Sequence, residues 1–332
     1  MKKYDVYGIC NPLIDILSHV SESFLTKYEI KKNVMHLVSF EEQKNILSNL
    51  NSENLSIEYA SGGSAANSMI GLSQLGGVAA FTGKIGKDDH GKIYTQKLKD
   101  FGVDGFLGNE DGATGSCLVL VTDNGDRTMN TFLGKSRDLH EKDINFDVMR
   151  SSKYLYLTGY LWDTDPQKET VLKTLSEAKN SQINVALSLS DPLCVSRHKT
   201  DFKKLIKEYV SILFCNQDEI FTLLDTKITQ EALRIISEWV DTLVLTLGEK
   251  GALISHLGKI IYIDPISVKV IDTTGAGDAF AAGYLYGITN NFNQLDSGRI
   301  GTALAAAVIK QTGPRYNGDA KKFVREIIGK II

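Results

Sequence analysis

One stretch of the chain holds residue types at a spacing that suits phosphoryl transfer: Asp272-Thr273-Thr274-Gly275-Ala276-Gly277-Asp278. It follows an alternating segment over 260–270 and precedes a run of small and apolar residues over 279–288, an order that reads as strand, Gly-rich turn, helix. Gly275 and Gly277 let the backbone turn tightly. The first turn of a helix leaves N–H donors without partners and carries partial positive charge, which makes a seat for an anion such as phosphate. Asp278 stands beside that seat, with a second carboxylate nearby at Asp272. A carboxylate is electrostatically awkward there unless it takes a proton from a hydroxyl while the seat holds the phosphoryl group under attack. The alternative is a Gly-rich turn with Asp278 as a helix cap.

Further polar groups fall where strands end or helices begin. Asn11 and Asp15 flank Pro12 just past the first apolar segment, the place where ligands bind in an open α/β sheet; a local Asn/Asp turn is the alternative. In Ser61-Gly62-Gly63-Ser64-Ala65-Ala66-Asn67 an adjacent Gly pair opens a helix. Backbone can approach a ligand closely at Gly62 and Gly63, and Asn67 lies one turn in. This is not the dinucleotide fingerprint Gly-x-Gly-x-x-Gly. Asn216 and Glu219 open another helix at capping-box spacing. Thr246, Gly248 and Gly251 follow a further strand, as a nucleotide-facing loop or as a plain Gly turn. Arg127 is the cation at a hairpin turn, where an arginine is ordinarily solvated. Thr302 lies in an Ala-rich helix.

These residues need a scaffold. Short apolar strands are predicted over 4–10, 34–40, 78–85, 154–158, 183–189, 210–215 and 242–246. Helical patterns lie among them over 41–50, 88–101, 166–179, 201–209, 218–224 and 230–240, and a last one over 300–309. Such alternation implies a mostly parallel sheet covered on both faces. The segments 116–122 and 127–133 break the rhythm as a hairpin around Asp123-Asn124-Gly125-Asp126. A small β-lid is expected from about 12–40 and 112–135. The chain has 332 residues, 42% hydrophobic and 23% charged, enough for a large core. With only 5 prolines and no low-complexity linker, it reads as one domain over 1–332. A net charge of −3 speaks against a polyanion-binding surface. Cys10, Cys117, Cys194 and Cys215 form no Cys-x-x-Cys pair, as expected of free thiols in a reducing cytosol. With no apolar leader after Lys2-Lys3 and no window long enough to span a bilayer, a cytoplasmic location is expected.

Taken in order, the motifs resemble those of the ribokinase-like (PfkB) carbohydrate and nucleoside kinases, from about Tyr4 to about Gly313. Asn-Pro-Leu-Ile-Asp at 11–15 and Tyr59-Ala60-Ser61-Gly62-Gly63-Ser64 look most like adenosine kinases and their bacterial nucleoside-kinase relatives. Asp126-Arg127-Thr128-Met129-Asn130-Thr131 and Tyr160-Leu161-Trp162-Asp163 resemble the bacterial branch. Thr274, where the animal enzymes carry Asn, and an extra residue in the 123–126 turn depart from the animal pattern. The resemblance implies a ribokinase-like three-layer α/β/α fold with a lid, and ATP-dependent phosphorylation of a nucleoside 5′-hydroxyl, with adenosine as first choice. It makes Asp278 the general base, Gly275, Ala276 and Gly277 the anion hole, and Arg127 a lid residue that reaches the phosphate. Asn11, Asp15, Gly62, Gly63 and Asn67 would hold the sugar hydroxyls. Asn216, Thr246, Gly248, Gly251 and Thr302 would line the ATP side, and Glu219 with Asn216 would hold Mg²⁺ through water. Asp272 would be the ligand of a monovalent cation such as K⁺. Leu13, Met129, Leu133 and Trp162 are apolar candidates for the base pocket. The partners implied are small molecules, not nucleic acid or membrane, in a monomer or homodimer.

Inosine, guanosine or a free sugar such as ribose or fructose are alternative acceptors. A catalytically silent ligand sensor on the same scaffold is a rival of another class, against which the Asp278 and Asn216/Glu219 motifs speak. A dinucleotide-dependent oxidoreductase lacks its fingerprint after the first strand.

Overall fold

The computed structural model describes residues 2–32 and 35–329. Its first strands are β1 (Tyr4–Ile9), β2 (Leu13–His19), β3 (Met35–Leu37), β4 (Glu58–Gly62), β5 (Ala79–Gly86), β6 (Asp104–Glu110), β7 (Gly115–Val121) and β8 (Arg127–Phe132). There follow β9 (Ser152–Thr158), β10 (Asn184–Ser188), β11 (Ile212–Asn216), β12 (Thr242–Thr246), β13 (Ala252–His256) and β14 (Lys259–Ile263). The larger sheet runs β14-β13-β12-β11-β10-β9-β1-β5-β6. From β12 to β6 all neighbours are parallel, and β13 and β14 add an antiparallel edge. Helices cover both faces, as the sequence alternation requires. β5 is buried at every position, the signature of a strand covered on both sides.

Two apolar clusters mark the two faces. One joins Met69, Phe81, Tyr156, Phe214, Tyr284 and Leu304; the other joins Tyr7, Leu155, Leu187, Phe202, Leu213 and Leu245. The helix Ala276–Thr289 is apolar nearly all round and buried from Ala279 to Gly287. It packs against the helices Gln294–Val308 and Ser64–Gln74. Close approach depends on glycine: a Cβ on Gly283 would stand 2.7 Å from the Cα of Gly301.

The smaller sheet has the order β3-β8-β7-β2-β4. The β7–β8 hairpin turns at the expected place, with Gly125 N–H donating to Thr122 O at 2.7 Å. Two expectations are corrected. The segment after Pro12 is a strand rather than a turn: alternate burial of Ile14, Ile16 and Ser18 gives β2 the two-residue period of a half-covered sheet. Likewise, Glu58–Gly62 is a strand, β4, paired antiparallel to β2 just before the Gly pair. The 260–270 strand is the other correction. Its ladder ends at Ile263, and Pro265, which has no N–H, lies just beyond, so a long irregular connection leads to Gly275. The predicted strand over 34–40 is reduced to Met35–Leu37, and Val34 lies outside the described residues. Among the described residues no helix is long and apolar enough to cross a membrane. All four cysteines are buried and unbridged.

Candidate active site

A cleft opens where the parallel strands end. Asn11 follows β1, Tyr160 follows β9, Ser190 follows β10, and Asn216 and Thr246 close β11 and β12. Two cavities adjoin there. One, of about 300 Å³, is walled by Asn216, Glu219, Thr246, Thr274, Gly275, Ala276, Gly277 and Asp278 among others. The second, of about 110 Å³, reaches under the smaller sheet between Asn11, Asp15 and Gly63 on one side and Leu13, Met35, Met129 and Leu133 on the other. Ser64, Met129 and Tyr160 belong to both walls.

Asp278 sits in the first turn of the helix Ala276–Thr289 and faces this cleft. Its carboxylate is held at both oxygens. Ser64 Oγ donates to Oδ1 at 2.6 Å, and Asn67 Nδ2 donates to Oδ2 at 2.9 Å. Burial raises its pKa, while the Ser64 and Asn67 donors and the Arg315 charge lower it. Gly275 begins the helix with φ 72°, and a Cβ there would stand 2.4 Å from the Pro314 carbonyl oxygen. Gly277 has open space where a side chain would be, so a ligand can come close to its backbone.

Asp15 lies on β2 and packs over Gly62, where a Cβ would fall 2.3 Å from the carboxyl atoms. Gly63 has φ 95°, and a side chain on it would meet the Asn11 carbonyl oxygen. The Gly pair therefore lets the smaller sheet, the first strand end and the helix Ser64–Gln74 converge. Burial pushes Asp15 up to about 7, against the pull of Arg315 and Arg127 and with the push of Asp278. The Asn67 amide is engaged by protein groups: its Nδ2 faces Asp278 and its Oδ1 accepts from Arg315 Nε at 3.0 Å.

On the other side, Asn216 and Glu219 form a reciprocal capping box. Glu219 Oε2 accepts from Asn216 N–H at 3.1 Å, and Asn216 Oδ1 accepts from Glu219 N–H at 2.9 Å. The capping box leaves Glu219 in the cleft wall. Glu219 is 5% exposed. Burial pushes it up to about 7; the Asn216 N–H lowers it, and the Asp191, Asp218 and Asp278 carboxylates raise it. A divalent cation beside these carboxylates would relieve their repulsion, so the donor set fits Mg²⁺ held largely through water. Among the described residues no three His, Cys, Asp or Glu side chains form a protein-only cage.

Asp272 is committed differently. It pairs with Arg127, its Oδ1 accepts from Thr274 N–H at 2.7 Å and Thr274 Oγ at 2.6 Å, and its Oδ2 accepts from Gly313 N–H at 2.8 Å. The Arg127 guanidinium thus fills the place beside Asp272 that a monovalent cation would need. As arranged here, these residues do not fit K⁺. Thr302 lines a separate cavity of about 250 Å³ with Asp264, Pro265, Ile266 and Arg299. Gly248 and Gly251 shape the β12–β13 connection, where Leu247 N–H donates to Gly251 O at 2.8 Å; of that loop it is Thr246 that lines the cleft. Leu13, Met129 and Leu133 line the smaller cavity as expected, whereas Trp162 packs on Phe202 in the core.

Ser64 and Arg315 are the residues that sequence reasoning missed. Ser64 adjoins the Gly pair, so a hydroxyl at the start of a helix was the available signal. Arg315 follows Gly313-Pro314 in an irregular segment, where no periodicity marks a position.

The pfkB family carbohydrate kinase model matches residues 27–321. The chain belongs to the PfkB family. A solved structure of a probable sugar kinase from Rhizobium etli is 34% identical, with a TM-score of 0.92 and 99% of each chain covered. The adenosine kinase from Sinorhizobium meliloti is 33% identical, with a TM-score of 0.91 over 98% of this chain and 99% of that one. Adenosine kinase 2 of Arabidopsis thaliana is 26% identical, over 93% of this chain and 94% of its own length. This PfkB kinase therefore has the ribokinase-like α/β fold and is a phosphotransferase with an alcohol acceptor.

Proposed function

We propose that this kinase transfers the γ-phosphoryl group of ATP to the 5′-hydroxyl of a nucleoside, with adenosine as the acceptor. The observation that carries the reading is Asp278, held by Ser64 and Asn67 in the wall of the larger cavity, beside the Gly275, Ala276 and Gly277 backbone. Asp15, the Gly62 and Gly63 backbone and Asn11 hold the ribose and aim its 5′-hydroxyl at Asp278, which accepts the proton as the oxygen attacks phosphorus. Positioning of this kind is most of what phosphoryl transfer asks of a protein. The amides at the start of the helix Ala276–Thr289 stabilise the charge on the phosphoryl oxygens. Arg127 adds its charge when it turns from Asp272 toward the phosphate. Mg²⁺, when bound near Asn216 and Glu219, neutralises phosphate charge. Thr246, in the cleft wall, lies along the path proposed for ATP. In this reading the smaller sheet is a lid on a single kinase domain.

A base is favoured over a bare sugar by the walls beyond Asp15. Leu13, Met35, Leu37, Met129 and Leu133 give a flat ring apolar surfaces that a free sugar would not use. The likeness to the Rhizobium etli probable sugar kinase supports a second reading, phosphorylation of a sugar hydroxyl. ADP release measured across adenosine, inosine, guanosine, ribose and fructose separates the two. Turnover with a nucleoside at least tenfold more efficient than with either sugar is the expected result; the reverse order overturns the nucleoside assignment.

A further inference from the structure

We infer that Arg315 is a positioning residue for the base: its guanidinium fixes the Asn67 amide so that the nitrogen end faces Asp278. The inference rests on the kinase reading of Asp278 and adds a residue to it. An amide has an accepting end and a donating end. Arg315 Nε donates to Asn67 Oδ1 at 3.0 Å, which leaves Nδ2 to donate to Asp278 Oδ2 at 2.9 Å. Were the amide reversed, its oxygen would face the carboxylate and repel it. Because arginine only donates, its presence at Asn67 selects one orientation of the amide. Ser64 fixes the other oxygen of Asp278, so the base is held from two sides.

Arg315 is itself held in place. Its guanidinium carbon lies 5.7 Å from the centroid of the Phe101 ring. It extends from the irregular segment after the helix Gln294–Val308, and that segment also braces the anion turn. Gly313 N–H bonds Asp272, and the Pro314 carbonyl oxygen lies against Gly275. A short piece of chain thus supports both the phosphoryl seat and the base. Its charge also matters. Asp278 is set among Asp15, Glu219, Cys10, Tyr156 and Tyr160, each of which it pushes toward its protonated form. Arg315 is the cation that lowers both Asp15 and Asp278.

The test is the pH dependence of kcat/KM in the full chain with ATP, Mg²⁺ and adenosine, for wild type, Arg315→Met, Arg315→Lys, Asn67→Ala and the Arg315→Met/Asn67→Ala double variant, each checked by thermal melting. For Arg315→Met, kcat should fall at least tenfold with KM for ATP within about twofold. The acid limb should move up by about one pH unit, as when an opposite charge beside a carboxylate is removed. Arg315→Lys should return the limb toward its wild-type position. The Arg315→Met loss should be smaller when Asn67 is already Ala, because part of the effect runs through that amide. A profile lowered uniformly with its limb unmoved overturns the inference, as do fully additive losses. If Arg315→Met melts before assay, Arg315→Lys decides: a limb displaced despite the retained charge counts against the proposal. If wild type turns over only a sugar, the acceptor reading fails and the same series is run with that sugar. If adenosine is turned over but the series behaves additively, this inference alone fails.

Discussion

Asp278 and Asp15 are two carboxylates with different surroundings, to which the proposed function gives different tasks. Burial raises the pKa of Asp278, and two donors and a nearby arginine partly offset this, so in the proposed mechanism it is the group that takes the hydroxyl proton. Asp278→Asn keeps the shape and removes the proton acceptor. Steady-state assays should show kcat reduced roughly 10²–10⁴-fold, the range for general-base catalysis, with ATP binding by calorimetry little changed. Asp15 is raised from 3.8 to about 7 chiefly by burial. Between those values the folded group binds a proton that the unfolded chain has lost, so its contribution to stability falls as pH rises toward 7. Asp15→Asn should therefore abolish efficient nucleoside turnover yet melt higher than wild type at pH 8.5, with the gain closing toward pH 5. A lower melting point across the whole range would contradict this.

The elements that carry these residues are coupled by backbone-close packing in one place and by an ion pair in another. The helix Ala276–Thr289 must approach the helix Gln294–Val308 closely enough to seat the anion turn. Gly283 allows this because its nearest neighbours are the backbone atoms of Ile300 and Gly301. Backbone cannot give way like a side chain, so Gly283→Val should lower stability by about 3 kcal/mol in denaturant titrations, the upper part of the overpacking range. The link between the smaller sheet and the anion turn is the Arg127–Asp272 ion pair, with Arg127 17% and Asp272 6% exposed. Thr274 and Gly313 also hold Asp272, so the turn survives loss of the pair. Arg127→Met should thus melt close to wild type while kcat drops on the order of a hundredfold, as for other groups aimed at developing charge. A rise in nucleoside KM with kcat unchanged would instead assign the arginine to lid closure alone.

Across the whole molecule, the cleft exists because two sheets meet at the carboxyl ends of the parallel strands. The smaller cavity has walls from the first strand end and from the smaller sheet, so a ligand that fills it joins the two sheets. Adenosine at a hundredfold over its Kd should stabilise the fold by about 2.7 kcal/mol through mass action. Ribose at the same concentration should leave the melting temperature nearly unmoved, since it leaves the Leu13, Met35 and Met129 walls uncovered. Equal shifts for the two ligands would remove the case for a base pocket.

The sequence by itself determined the parallel sheet, because alternating apolar strands and amphipathic helices have few other ways to bury both faces. It also determined the Asp278 turn and the Gly62-Gly63 pair, because a backbone that must pass close to another group requires glycine. It did not reveal that Leu13–His19 and Glu58–Gly62 are strands, since each reads locally as a Pro or Gly turn and only pairing between them makes a ladder. Nor did it show that the turn leans on residues 309–315 instead of on a strand, or that Asp272 is taken by Arg127. Those contacts join residues far apart in the chain. Only the tertiary structure sets which distant donor faces which carboxylate, because charge acts through space and leaves no period in the sequence.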